Sequence, residues 1–130
     1  MDSGRFSLPD LPLVHRLIFW GWLLSLGLVG LGSLTPRLNI PDSVPESDKV
    51  LHCLAYFWLA FWPGLSFLSL SRIWALALGL IGLGLGLELA QILVPGRYFS
   101  FLDFAANSLG VALGLLFAFG LRHLRAGSRI

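Results

Sequence analysis

Four long apolar stretches dominate this sequence and limit what it can fold into. They run from about Leu17 to Leu34, Val50 to Leu70, Ile73 to Val94 and Phe101 to Leu121. A membrane-spanning helix needs roughly 20 apolar residues, with a range of about 17–25. Charged residues make up only 12% of the chain, about half of the usual charged fraction of a soluble domain. We therefore predict one all-α integral membrane domain over residues 1–130, a four-helix bundle.

The positively charged residues predict the orientation of this bundle. One group lies at the two termini and between the second and third stretches: Arg5, Arg16, Arg72, Arg122, Arg125 and Arg129. Only Arg37, Lys49 and Arg97 lie on the other side. Because lysine and arginine are enriched on the cytoplasmic side of membrane proteins, we predict that both termini are cytoplasmic. The net charge of +2 is too small and too scattered for a nucleic-acid partner.

Polar side chains recur at helical spacings within three of the apolar stretches. Asp48 comes just before the second stretch, which carries His52 and Tyr56. The third stretch carries Glu88 and Gln91, and the fourth carries Asp103 and Asn107. Residues three or four positions apart share one face of a helix. In the predicted topology, all three polar faces lie in the outer leaflet. We expect them to converge on one pocket, with Glu88 near His52 and near Arg97 of the following loop.

The same residues resemble a known family. The segments "DKVLHCLAY" (48–56) and "ELAQILVPGRYFSFLDFAANSLGVALG" (88–114) are similar to the VanZ-like family of small bacterial membrane proteins. The matching positions are Asp48, Lys49, His52, Tyr56, Glu88, Gln91, Pro95, Arg97, Asp103, Asn107, Gly110 and Gly114. The family is named for low-level resistance to the antibiotic teicoplanin. The resemblance implies a multi-pass protein of the bacterial inner membrane with a role in the cell envelope.

Ionisable residues within a membrane are functional candidates, because a charged side chain at a helix centre costs about 2.5–3.5 kcal/mol. We predict that Glu88 and His52 are an acid–base pair acting on an envelope lipid or a lipid-linked cell-wall precursor. The predicted ligand-binding residues are Asp48, Lys49, Tyr56, Gln91, Arg97, Asp103 and Asn107, with Lys49 and Arg97 holding an anionic head group. Structural roles are the alternatives: a bond from Glu88 to His52 or Arg97, a helix cap by Asp48, a pair between Arg97 and Asp103, and an interhelical bond from Asn107.

The sequence does not decide whether the protein is an enzyme. The alternative is a non-catalytic accessory protein that packs against other membrane protein subunits. A small transporter fits less well, because the polar residues stop at one leaflet. We predict no cofactor and no metal. His52, Glu88 and Asp103 could supply metal ligands, but His15 and His123 lie at the opposite leaflet.

Small and aromatic residues lead to three packing predictions. Glycines spaced so that helices can approach closely should lie at helix contacts: Gly79, Gly82, Gly86, Gly110 and Gly114. Pro63 should kink the second helix by freeing the carbonyl of Leu59 from its helical hydrogen bond. The tryptophans should mostly anchor the protein at the membrane interface or face lipid: Trp20, Trp22, Trp58, Trp62 and Trp74.

Overall fold

A computed structural model of the protein describes residues 13–36, 47–66 and 69–127. These residues form four helices: α1 (Leu13–Ser33), α2 (Ser47–Ser66), α3 (Leu70–Gln91) and α4 (Phe101–Gly127). The described ranges contain no strand, so the predicted all-α class is confirmed. Part of the charge bias used for the topology prediction lies outside the described residues, at Arg5, Arg37 and Arg129.

Three of the helices, α1, α3 and α4, are long and apolar enough to cross a membrane. This finding confirms the predicted membrane class. Helix α2 is not among the three. Its first two turns carry Asp48, Lys49 and His52, and these side chains lower its hydropathy.

The tightest helix contact is between α2 and α4, which run in the same direction. A Cβ atom added at Gly110 would overlap the carbonyl of Cys53, and one added at Gly114 would lie 2.5 Å from the carbonyl oxygen of Phe57. The two helix backbones therefore touch, which only glycine permits here. The prediction that Gly110 and Gly114 lie at helix contacts is confirmed.

The apolar core lies between α2, α3 and α4. It consists of Tyr56, Leu59, Ala60, Ala77, Leu80 and Val111. Helix α1 is peripheral: none of its residues is buried, and it covers the core only with the partly buried Trp22, Leu26 and Val29.

The glycine prediction for α3 is wrong. In the described part of the chain, no atom outside the backbone of α3 lies within 4 Å of a Cβ atom added at Gly79, Gly82 or Gly86. Instead, Gly84 is the packed glycine of this helix, and it lies against Asn107 and Tyr56. The physical reason is helical phase, since Gly84 is four residues before the buried Glu88 and therefore shares its face.

Pro63 lies inside α2, and the carbonyl it was predicted to free gives one tryptophan an unexpected role. Proline has no N–H group to bond the carbonyl four residues earlier. The indole Nε1 of Trp22 donates a hydrogen bond to that carbonyl, Leu59 O, at 2.9 Å. Trp22 therefore links α1 to α2 through a hydrogen bond. The prediction that Trp22 is an interfacial or lipid-facing anchor is wrong. Trp20, Trp58 and Trp74 are exposed, as expected.

Candidate functional site

The candidate site lies at one end of the molecule, where α1 and α3 end and α2 and α4 begin. We call this the polar end. All the acidic residues of the described ranges are here: Asp48, Glu88 and Asp103. Asp48 and Asp103 belong to the first turns of α2 and α4, where the positive end of the helix dipole favours a carboxylate.

Glu88 is the central buried residue of the polar end, with 0% of its surface exposed. Its Oε2 accepts a hydrogen bond from the backbone N–H of Ser100 at 3.3 Å. Its Oε1 lies 3.9 Å from Nδ1 of His52. No described residue makes a hydrogen bond to Oε1. The prediction that Glu88 points inward and lies near His52 is confirmed, and one carboxylate oxygen is left available.

His52 joins three helices through its imidazole ring. Nδ1 of His52 and Oδ1 of Asn107 are 3.0 Å apart, which confirms the interhelical bond expected of Asn107. On the other side of the ring, Nε2 lies 3.9 Å from Oδ1 of Asp48. The ring therefore has Asn107 and Glu88 beside one nitrogen and Asp48 beside the other.

Tyr56 lies deeper, below the carboxylate of Glu88. Only 1% of its surface is exposed, and its hydroxyl has no hydrogen-bond partner among the described residues. It interacts electrostatically with Glu88. Gly84 packs against the ring at 3.4 Å, measured from an added Cβ. Sequence reasoning missed Gly84, although its spacing of four residues from Glu88 was a signal that could have identified it.

Arg97 and Gln91 donate hydrogen bonds to the end of α1, and the Arg97 side chain makes no hydrogen bond to Glu88 or Asp103. Arg97 donates from Nε to the carbonyl of Thr35 at 3.2 Å and from a terminal nitrogen to that of Gly32 at 3.4 Å. Gln91 donates to the carbonyl of Ser33 at 3.1 Å. The last carbonyls of a helix have no partner within the helix, and a cation is favoured there.

The predicted hydrogen-bonded pairing of Arg97 with Glu88 or Asp103 is therefore wrong, because the helix end competes for the guanidinium. The Arg97 charge still acts on Glu88 through space. Sequence reasoning also missed the contribution of α1 to the site. That contribution is made by backbone carbonyls, which leave no signature in side-chain identity.

Asp48 and Arg97 line two neighbouring cavities. The first, of about 240 Å³, lies at the polar end and is lined further by Lys49, Gln91, Gly96, Tyr98, Phe99, Ser100 and Asp103. The second, of about 250 Å³, lies between α1 and α2 and is lined further by Leu28, Val29, Gly32, Ser33, Leu51, His52, Ala55 and Tyr56. The first is walled mostly by polar residues and the second mostly by apolar ones. Gly96, at φ 76°, makes the turn that precedes Arg97, a backbone conformation that favours glycine.

Comparisons with models of protein families, with curated proteins and with solved structures found no match to this chain. The resemblance to the VanZ-like family therefore rests on the motifs in the sequence. The structure places all the predicted site residues at or just below the polar end, and their functional roles stay predictions.

Proposed function

We propose that this chain is a VanZ-like, multi-pass protein of the bacterial inner membrane. In this proposal its polar end binds or processes an envelope lipid or a lipid-linked cell-wall precursor. The observation that carries the proposal is Glu88. It is a fully buried carboxylate whose Oε1 has no hydrogen-bond partner among the described residues and lies 3.9 Å from the His52 ring. Buried polar groups are normally bonded, and an ionisable residue inside a membrane protein is a functional candidate by default.

The residues that line the two cavities favour a lipid as the ligand. The cavity at the polar end can receive a head group, because polar and charged side chains line it. The cavity between α1 and α2 can receive an acyl or prenyl chain, because Leu28, Val29 and Leu51 line it. Asp48 and Arg97 line both cavities, so the polar head and the apolar tail of one molecule would lie on either side of this pair.

The charges favour an anionic head group. Lys49 and Arg97 both line the first cavity, and lysine and arginine are the side chains that bind phosphate. Within the described part of the chain, Lys49 makes no ion pair. Its ammonium is therefore available to a phosphate. A head group at this position would lie next to His52 and Glu88, which would then act as acid and base.

Lipid binding can be tested by native mass spectrometry of the detergent-purified protein. We expect it to retain phosphatidylglycerol or a polyprenyl phosphate in preference to phosphatidylcholine. Lys49→Gln should reduce the bound anionic lipid about tenfold, the loss of one charge-assisted bond of about 1.5 kcal/mol. Arg72→Gln, at the opposite end of the molecule, is the matched control. Equal retention by the wild type and Lys49→Gln would reject the head-group assignment.

The role of Glu88 can be tested with Glu88→Gln, which keeps the shape and removes the charge. If the protein confers teicoplanin resistance on a sensitive host, Glu88→Gln should return the host to the level of the empty vector. Its yield and thermal unfolding should match those of the wild type. A fully active Glu88→Gln protein would make Glu88 a structural residue.

The proposal includes a four-helix membrane bundle with both termini in the cytoplasm. The charges of the described residues support this orientation. Arg16, Arg72, Arg122 and Arg125 lie at the end opposite the polar end, and the acidic residues lie at the polar end. The polar cavity would then open at the outer leaflet, although α2 alone is less apolar than a usual span.

Cysteine labelling can test this topology. Single cysteines at Ser43 and Ser128, both outside the described residues, would be introduced in a Cys53→Ala background. An impermeant thiol reagent on whole cells should label the protein at position 43 and not at position 128. The reverse pattern would move the polar end to the cytoplasmic leaflet.

An accessory subunit of a larger membrane complex is the second candidate, and the outer surface of α3 favours it. Among the described residues, none lies within 4 Å of a Cβ atom added at Gly79, Gly82 or Gly86 from outside their own helix backbone, and small residues are typical of helix contacts in membranes. The two candidate functions predict opposite effects for two substitutions. An accessory role would be lost in Gly82→Leu and kept in Glu88→Gln, whereas the lipid-binding role would show the reverse.

A further inference from the structure

We infer that binding of an anionic head group is coupled to the position of helix α1, and that Arg97 couples the two. The inference rests on the proposed function and gives a role to the peripheral helix. Arg97 lines both cavities, and its guanidinium donates to the carbonyls of Gly32 and Thr35 at the end of α1. One side chain therefore reaches both the place proposed for the head group and the helix beside it.

Helix α1 is the helix whose position a ligand can most easily change. None of its residues is buried. Near its middle, the indole of Trp22 donates to Leu59 O of α2 at 2.9 Å, and at its end Gln91 and Arg97 donate to its carbonyls. Segments with few buried apolar contacts are the ones that open locally in folded proteins. We call α1 docked when it has the contacts seen in this structure.

The guanidinium of Arg97 has donors left for a phosphate while α1 is docked. A guanidinium carries N–H groups on all three of its nitrogens. Nε donates to Thr35 O at 3.2 Å and Nη2 to Gly32 O at 3.4 Å, whereas Nη1 makes no hydrogen bond to a described residue. Arginine commonly binds phosphate through two parallel N–H···O bonds. Nη1 and the second N–H of Nη2 can therefore bind phosphate oxygens without releasing the two carbonyls.

This sharing of one guanidinium gives the coupling its sign. An arginine side chain loses rotamer freedom when it binds a ligand, and this loss weakens binding. When α1 is docked, its carbonyls already hold Arg97 in place, so less freedom remains to be lost. A docked α1 therefore strengthens head-group binding. Because coupling between two binding events is reciprocal, the head group must stabilise docked α1 by the same factor.

The apolar cavity acts in the same direction. Leu28 and Val29 of α1 and Leu51 and Ala55 of α2 line it. A lipid tail in this cavity would contact both helices. Van der Waals packing is a main attraction between helices in a membrane, so a tail that fills the space between α1 and α2 would also favour docked α1.

The distance between α1 and α4 at the polar end measures this coupling. Spin labels would be attached at Leu31→Cys on α1 and Leu102→Cys on α4, in a Cys53→Ala background. Both leucines are exposed, and neither lines the two cavities. In phosphatidylcholine nanodiscs we expect a broad distance distribution, which added phosphatidylglycerol should narrow to one peak. A label pair on α3 and α4, Leu78→Cys with Leu116→Cys, is the control and should not change.

Two variants separate the coupling from the attraction of charge alone. Arg97→Lys keeps the charge and should retain most of the bound phosphatidylglycerol, but it should lose the narrowing, because an ammonium lacks the planar fork that joins carbonyls to phosphate. Lys49→Gln should bind the lipid about tenfold more weakly, as one charge-assisted bond is lost. At saturating phosphatidylglycerol, Lys49→Gln should still show the narrowing, because its Arg97 is intact.

The labelled chain with Arg97 intact decides the inference even if Arg97→Lys fails to fold. Retention of phosphatidylglycerol in native mass spectrometry with an unchanged distance distribution would overturn the coupling and leave the proposed function standing. A distribution that broadens with phosphatidylglycerol would also overturn it, because the phosphate would then displace the α1 carbonyls from Arg97. Absence of any retained anionic lipid would reject the proposed function, and the coupling with it.

Discussion

Two helices carry glycines at similar spacings, and the structure uses them in opposite ways. In α4, Gly110 and Gly114 lie against the backbone of α2. In α3, a Cβ atom added at Gly79, Gly82 or Gly86 would meet no atom of another described element within 4 Å. The same local composition therefore forms the tightest contact in the molecule on one helix and an uncovered surface on the other.

The difference follows from the phase of each glycine relative to the buried polar residues. Gly110 comes three residues after Asn107, and Gly84 comes four residues before Glu88. Gly86 comes only two residues before Glu88. Residues three or four apart share a helix face, and residues two apart do not. The spacing between glycines does not identify the contact. The spacing of a glycine from a buried polar residue on the same helix does.

The largest expected effect compares the two kinds of glycine directly. Gly110→Leu would force a side chain into the carbonyl of Cys53, where backbone cannot move aside. We expect a loss of about 3 kcal/mol or more, the upper end for overpacking, seen as little folded protein in detergent. Gly86→Leu should unfold at the wild-type temperature. An equally damaging Gly86→Leu would show that this face of α3 is covered in the folded protein.

A second pair tests phase within α3 alone. Gly84→Leu would press on Asn107 and Tyr56, the nearest atom lying 3.2 Å from an added Cβ. Side chains can shift where backbone cannot, so we expect a smaller loss of about 2 kcal/mol. Gly82→Leu is the control, and it should change thermal unfolding little. If both variants unfold alike, phase does not decide which glycines are packed.

A third pair compares two adjacent polar residues of α4. Asn107→Ala removes the partner of the His52 ring and should cost about 1–2 kcal/mol, because a buried polar group loses its bond. Ser108 donates to the carbonyl of Phe104 in its own helix. Ser108→Ala should therefore leave thermal unfolding almost unchanged. A neutral Asn107→Ala would mean that the interhelical bond adds nothing to stability.

The smallest expected effect concerns the peripheral helix. Trp22→Phe removes the hydrogen bond to Leu59 O and keeps most of the ring contact. The expected loss is about 1 kcal/mol, the net value of one hydrogen bond. Trp58→Phe removes only an exposed bond to Ser25 and should have less effect. Denaturation followed by circular dichroism can rank the two, and a larger loss for Trp58→Phe would contradict the role given to Trp22.

Much of the fold could be predicted from hydropathy. The predicted membrane spans differ from the observed helices at their ends. The fourth stretch was predicted to end near Leu121, yet α4 continues to Gly127. Arg122 and Arg125 end an apolar run without ending a helix, because arginine is a good helix former. The third stretch was predicted to reach Val94, and α3 ends at Gln91, shortly before Pro95. Hydropathy measures how favourably side chains transfer into a membrane, whereas the end of a helix depends on its backbone hydrogen bonds.

The candidate site was predictable where its side chains follow helical spacing. Glu88, His52 and Asn107 come together as their stripes predict. The partners of Arg97 and Trp22 were not predictable, because both side chains bind backbone carbonyls, at Thr35 and Leu59 respectively. Every residue has a carbonyl, so the sequence cannot indicate which one is left unbonded and within reach.

The parallel contact between α2 and α4 has a consequence for biosynthesis. The ribosome makes α2 early and α4 last, with all of α3 between them. Until Gly110 has been synthesised, α2 has no surface on which its backbone at Cys53 can pack, and His52 has no Asn107. Helix α2 must therefore wait for α4, and a chain truncated before Phe101 would leave the backbone at Cys53 and the His52 ring without the residues that pack on them.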